Sequence, residues 1–181
     1  DKYLQYYFLE SYLFGDVHRN FRRRGWLTAE EFFAIVIWKR NASKTKILKG
    51  IRSSGRSVRE ITSRVEASKT LKERLDALLS PKISGIGISF ASAILTVCYP
   101  DDFTVADYRA YTSIKHLDNG GGSDPTKSVS SYFKYLERCK ELAPQHGHTL
   151  RNFDRILWGM DFYDGKDGLR RLVSELESPS T

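Results

Sequence analysis

The sequence predicts an all-α protein of roughly nine helices, on three grounds: capping signals, apolar residues at three- and four-residue spacing, and a scarcity of strand alternation. Thr28 with Glu31 and Ser57 with Glu60 each set a hydroxyl three residues ahead of a carboxylate, the pattern that satisfies orphan amides at a helix start. Helices are expected to begin at both. The apolar spacing follows in Phe32, Phe33, Val36 and Ile37, in Ile61 and Val65, and in Leu71, Leu75, Leu78 and Leu79. It resumes over residues 91–97, 129–142, 150–158 and 169–176. Breaks are expected at Gly15, Gly25, Gly50 with Gly55, Ser80-Pro81, Gly85 with Gly87, Pro100, residues 120–125, residues 144–147 and Gly165. Only residues 118–126 read as a long loop. With no internal repeat, residues 1–181 are taken as one folding unit. It carries a helical hairpin over residues 71–99, and the N-terminal helix and C-terminal helices are the candidates for a second lobe beside a cleft.

The 181 residues are 40% hydrophobic and 28% charged, which is globular composition, and no apolar run approaches the roughly 18 residues that span a bilayer. No membrane partner is expected. Lys and Arg number 29 against 22 Asp and Glu, a net charge of +7 with a pI near 9.4, so a polyanion is the first partner to consider. Residues 39–74 alone hold twelve basic and three acidic side chains, a net +9, and Arg19, Arg22, Arg23 and Arg24 add four more. The rest of the chain is then mildly acidic, an asymmetry that favours a directional basic face. Cys98 and Cys139 are too few and too far apart for a zinc or iron–sulfur ligand set, and read as reduced thiols of a cytosolic protein. Neither metal nor cofactor is expected. The chain starts at Asp1 without a signal-peptide pattern, which reads as the start of a segment of a longer protein.

The most informative segment is ISGIGISFASAIL, residues 83–95, behind the amphipathic stretch 71–79. Gly85 and Gly87 around a single aliphatic residue allow a sharp turn between two helices and leave consecutive amides exposed at the start of the second. Such amides hold a phosphate through main chain, without base preference. The segment resembles the helix-hairpin-helix element, with Ser84 in place of the usual proline. A plain corner between two helices would use the same glycines.

The following segment, YPDDFTVADYRAYTSI, extends the likeness. Its run Phe103-Thr104-Val105-Ala106-Asp107 is similar to the extended apolar stretch and catalytic aspartate of helix-hairpin-helix base-excision DNA glycosylases. In that family a lysine, where present, stands two residues after the second hairpin glycine, here Ser89, and the separation of Ser89 from Asp107 matches the family's spacing. The resemblance implies that Asp107 is catalytic and that Gly85, Gly87 and Ser89 contact DNA. On the residues alone, Asp107 also suits an N-cap for a helix over residues 108–115, and the two roles are compatible.

Two further stretches look like parts of the same family. The stretch from Glu31 to Asn41 resembles the helix that ends in a loop carrying the residue pushed into the duplex, which makes Arg40 or Asn41 the wedge, with Lys39 and Lys44 beside it as phosphate contacts. A basic helix end complementing its own dipole has the same composition. LRNFDRILW, residues 150–158, resembles the helix bordering the base pocket, so Trp38, Trp158, Phe162 and Tyr163 become candidates for stacking against an extruded base, although aromatics at helical spacing also serve as core.

The likeness covers residues 28–160 and has three departures. Ser89 supplies no amine, so base removal without strand cleavage is implied. No four-cysteine cluster follows the last helix, and Tyr108-Arg109 after Asp107 leaves the base open. Asp101 and Asp102 are rival carboxylates in a turn after Pro100, and His146 and His148 sit in a loop without a metal-ligand pattern. The expected protein is a monomeric DNA glycosylase acting on double-stranded DNA, cytoplasmic and nucleoid-associated, or nuclear in a eukaryote. The competing expectation is a non-catalytic helix-hairpin-helix DNA-binding module.

Overall fold

A computed structural model describes residues 4–118 and 122–177, with no strand among them, and residues 119–121 of the expected loop lie outside that range. Two short helices, α1 (Leu4–Tyr7) and α2 (Leu9–Tyr12), lead through a π turn at Leu13–Val17 into α3 (His18–Arg24). They are followed by α4 (Ala29–Arg40), α5 (Lys44–Ser54), α6 (Val58–Glu66), α7 (Leu71–Leu79) and α8 (Ile88–Cys98). The remaining helices are α9 (Tyr108–Asp118), α10 (Val129–Gln145), α11 (Leu150–Asp164) and α12 (Leu169–Glu177).

The chain divides into two compact units, Asp1–Val105 and Ala106–Thr181. The N-terminal helices group with the hairpin, and the C-terminal helices form the other unit by themselves. The whole charge excess belongs to the first unit, which has 18 basic and 11 acidic side chains (+7), whereas the second has 11 of each (0).

In the first unit α8 is the central rod: every residue from Phe90 to Cys98 is buried, and α3, α4 and α7 pack on it. A helix covered all round needs no polar stripe, which explains the run of small and aliphatic residues there. Around it Phe21, Phe32, Ile35, Ile61, Leu75 and Leu78 are fully buried, each contributing about 1.5–3 kcal/mol by removal from water. Both expected capping boxes are present, Thr28 with Glu31 on α4 and Ser57 with Glu60 on α6, and Thr70 with Glu73 adds a third on α7. The third has the same sequence signature as the others. Thr62 joins elements as well, since its hydroxyl donates to the Val58 carbonyl (2.8 Å) and accepts the Leu27 amide (3.0 Å).

Several expected breaks lie inside helices. Gly15 falls in the π turn, so the chain runs on helically from α2 to α3. Gly50 is a buried residue within α5, and Gly55 is the residue that ends the helix. Pro144 occupies the last turn of α10, where it forfeits its own amide bond but the helix ends one residue later. Five expected core positions are exposed. Ile37 of α4 is 41% exposed because that helix buries the side carrying Phe32, Ile35 and Val36. On α12, Leu169, Leu172, Val173 and Leu176 all face solvent, from 41% to 87% exposed. Their apolar spacing gives a helix but no partner face among the described residues.

In the second unit α9 and α10 pack with α11, around buried Ala110, Tyr132, Leu136, Phe153 and Leu157. Both cysteines are buried, Cys98 in α8 and Cys139 in α10, and loss of hydration pushes both thiols above their ordinary pKa. The folded protein is therefore expected to be inert to a chromogenic disulfide over the minutes in which the urea-unfolded chain titrates two thiols. Rapid labelling of the native protein would show that these helices open readily.

Candidate nucleic-acid interface and carboxylate site

The hairpin is built by α7, a loop over residues 80–87, and α8. Turn bonds from the Lys82 amide to the Leu79 carbonyl and from the Ile86 amide to the Ile83 carbonyl, both 3.0 Å, shape the loop. Ile83 and Ile86 are buried plugs that fix it to the unit. The two glycines differ. Gly85 has φ +92°, and a Cβ there would lie 2.8 Å from Ile47 Cγ1 of α5, so both backbone and space demand glycine. Gly87 has φ −106° and ψ −171°, ordinary extended backbone, and a Cβ would meet nothing within 4 Å. Of the two glycines only Gly85 has left-handed backbone, a conformation it shares in this loop with Lys82 at φ +50°.

Gly87 is the N-cap of α8 and brings no side-chain cap to the first-turn amides. Those amides, with open space in front of Gly87, form the arrangement that accepts an oxyanion. Ser89 is half-buried in that first turn, and its carbonyl accepts the Ser92 hydroxyl at 3.1 Å. The loop rests on α5: a Cβ on Gly50 would collide with the Ser84 carbonyl oxygen and stand 2.9 Å from its nitrogen. This close approach sets the hairpin beside the helix carrying Lys44, Lys46, Lys49 and Arg52, all exposed. Gly50, read in the sequence only as a break, is the residue that permits it.

The expected wedge segment follows α4. Arg40 is the last residue of that helix, with extended backbone, and Asn41 opens a single 3-10 turn at Asn41–Ser43 before α5. Both are exposed, and Lys44 donates to Asn41 Oδ1 at 2.7 Å. Lys39 is half-buried in the last turn of α4. Trp38, expected to border a base pocket, is half-buried with its ring edge-on to Phe14 at 5.7 Å, inside the first unit. Trp158, Phe162 and Tyr163 belong to the second.

Asp107 stands two residues into the second unit, half-exposed, immediately ahead of α9. The apolar run before it, Phe103 to Ala106, is buried throughout. Its Oδ1 accepts the Arg109 amide at 2.9 Å and its carbonyl accepts the Tyr111 amide at 3.0 Å, which is N-cap geometry. Arg109 then connects α9 to α11: its Nε lies 3.9 Å from Asp161 Oδ2, and its guanidinium sits 5.8 Å over the Trp158 ring. Trp158 and Phe162 stack one turn apart, 5.4 Å between centroids and 9° from parallel. They are 46% and 47% exposed and Tyr163 is 52% exposed, so these aromatics are surface and not core.

The structure therefore assembles Asp107, Arg109, Trp158, Asp161 and Phe162 along the α9–α11 pair. Asp161 escaped sequence reading, although its place three residues after Trp158 puts it on the same helix face. Tyr135 of α10 escaped as well. Burial pushes its phenol well above the ordinary value, and the charges of Asp154 and Asp107 push the same way. Asp154 is itself buried and paired with Arg151.

The rival carboxylates have other surroundings. Asp102 faces Arg74 Nη1 at 3.8 Å, and Asp101 is exposed, both in the first unit. His146 stacks on Phe153 (5.8 Å, 19°) and His148 is exposed. Among the described residues no group of three His, Cys, Asp or Glu could hold a metal, and no helix is long and apolar enough to cross a membrane. Comparison with protein-family models, with curated proteins and with solved structures finds no match to this chain.

Proposed function

We propose that the protein binds double-stranded DNA and removes an altered base by hydrolysing its N-glycosidic bond. The observation that carries the reading is the α7–α8 hairpin, with Gly85 in left-handed backbone and Gly87 as an N-cap that leaves the α8 amides without a side-chain partner. Basic side chains on the adjoining α5 and a net +7 on that unit supply the attraction for phosphates. A half-exposed carboxylate, Asp107, and the exposed Trp158–Phe162 stack supply chemistry and a surface for an extruded base.

Breaking the bond from C1′ to the base nitrogen develops positive charge on the sugar and negative charge on the departing base. The Asp107 carboxylate stabilises the sugar and orients a water. The water gives hydroxide to C1′ and its proton to the base, leaving an abasic site and a free base. Ser89 at the hairpin position offers no amine for a Schiff base, so the strand stays intact. The test is incubation with duplexes each holding one altered base, alkylated, deaminated, oxidised or bulky. Strand breaks are expected only after alkali, with no covalent adduct on borohydride treatment. Breaks without alkali, or a trapped adduct, would overturn the hydrolytic reading, and an unreacted panel would overturn excision of those base classes.

A non-catalytic DNA-binding module is favoured by one observation, the bond from the Arg109 amide to Asp107 Oδ1, which gives the carboxylate a structural task. It predicts binding to every duplex in the panel and release of no base.

A further inference from the structure

At the C-terminal end of α8 and in the turn between α3 and α4, two aromatic rings each carry two guanidiniums. Tyr99 has Arg22 5.3 Å and Arg74 3.9 Å from its ring centroid. Trp26 has Arg24 at 4.8 Å and Arg59 at 4.7 Å. The two stacks adjoin through Glu66. That side chain accepts the Tyr99 hydroxyl, and a Cβ on Gly25 would stand 3.1 Å from Glu66 Cγ. The bond from the Leu27 amide to Thr62 holds the Trp26 strand of the turn against α6, which bears Arg59.

The four arginines differ in what neutralises them. Arg24 pairs with buried Glu31, and Arg74 faces Asp102 at 3.8 Å. Arg22 and Arg59 are exposed and form no ion pair among the described residues. A carboxylate partner would occupy the in-plane donors of a guanidinium. An aromatic partner takes its flat face and leaves the N–H edge outward, while limiting the rotamers that must be ordered on binding. Two such held forks suit oxyanions, phosphate above all.

We propose that the Arg22–Tyr99 and Arg59–Trp26 stacks form a second phosphate-contacting surface for double-stranded DNA, separate from the hairpin loop at residues 80–87. The inference rests on the reading that the hairpin unit binds duplex, and it assigns the α3–α6 arginines a share of that binding. Duplex is favoured over an acidic peptide because the +7 excess lies wholly on this unit and the hairpin on it offers main-chain donors to the same kind of group.

The test measures affinity of the whole chain for a short unmodified duplex as a function of salt, for the parent, for Arg22→Gln/Arg59→Gln and for Gly87→Val. Each lost phosphate contact reduces the slope of log K against log salt by about 0.9, so the double variant should show a slope shallower by about 1.8 and weaker binding. Should the double variant not fold, Arg59→Gln alone, at an exposed position of α6, should reduce the slope by about 0.9. An unchanged slope in a folded arginine variant, with weakened binding by Gly87→Val, overturns the second surface and leaves the hairpin reading in place. A parent that does not bind duplex at all overturns both. Competition by a polyglutamate peptide as effective as duplex of equal charge would also overturn the assignment to DNA.

Discussion

Asp107→Asn is expected to keep the protein folded and bound to DNA while slowing base excision by about a hundredfold or more. Two roles meet at this side chain, and the substitution separates them. As an N-cap, Asp107 accepts the Arg109 amide at 2.9 Å through Oδ1. Asparagine caps as well as aspartate, since its amide oxygen accepts the same bond, so the melting temperature should hardly move. As a catalytic carboxylate, Asp107 must oppose the positive charge developing on the sugar, which a neutral amide cannot do. The loss should then fall on the chemical step, measured in single turnover with enzyme in excess. DNA affinity should hold or rise, because one negative charge beside a polyanion is removed. Asp107→Ala removes cap and carboxylate together and should also cost about 1 kcal/mol of stability. A folded Asp107→Asn that excises at the parent rate would dismiss Asp107 as the catalytic group and turn attention to Asp101 and Asp102.

Gly85→Val and Gly87→Val are expected to fail in different ways. At Gly85 the backbone has φ +92°, which a β-branched residue resists, and the new Cβ would stand 2.8 Å from Ile47 Cγ1. Strain and overpacking together should cost about 2–4 kcal/mol, seen as a lower urea midpoint, with the hairpin displaced from α5. At Gly87 the backbone is ordinary and the space in front is open, so the fold should be kept at a cost of about 1 kcal/mol, that of a poor N-cap residue in place of a good one. The added methyls occupy the approach to the first-turn amides of α8, so binding to duplex should weaken about tenfold or more, as when a charge-assisted hydrogen bond is lost. Unaltered binding by folded Gly87→Val would mean that no phosphate reaches those amides. A Gly85→Val protein as stable as the parent would mean that the loop has another conformation open to it.

What the sequence determined by itself is local. Helix starts at Thr28 and Ser57 were legible because a cap is a contact between residues three apart, and the N-cap at Asp107 was legible in the same local way, its carboxylate accepting an amide two residues on. The uneven charge needed only counting. Gly50 reads as a break in sequence, yet inside α5 it is the residue that lets the Ser84 backbone lie against that helix, a long-range contact which propensity cannot foresee. Pro144 is tolerated because it stands one residue before the end of α10, so it forfeits its own amide bond to the carbonyl four residues back and little helix follows for it to disturb. Apolar spacing announced α12 but not that Leu172 and Leu176 would face solvent, since periodicity defines a face and only packing supplies its partner. Tertiary structure also decided that Trp158 and Phe162 form an exposed stack beside Arg109 and Asp161, and that Arg22 and Arg59 lean on aromatic rings. Those arrangements bring together side chains from separate helices, and the free energy that selects them comes from burying whole faces, not from any signal within a few residues of each.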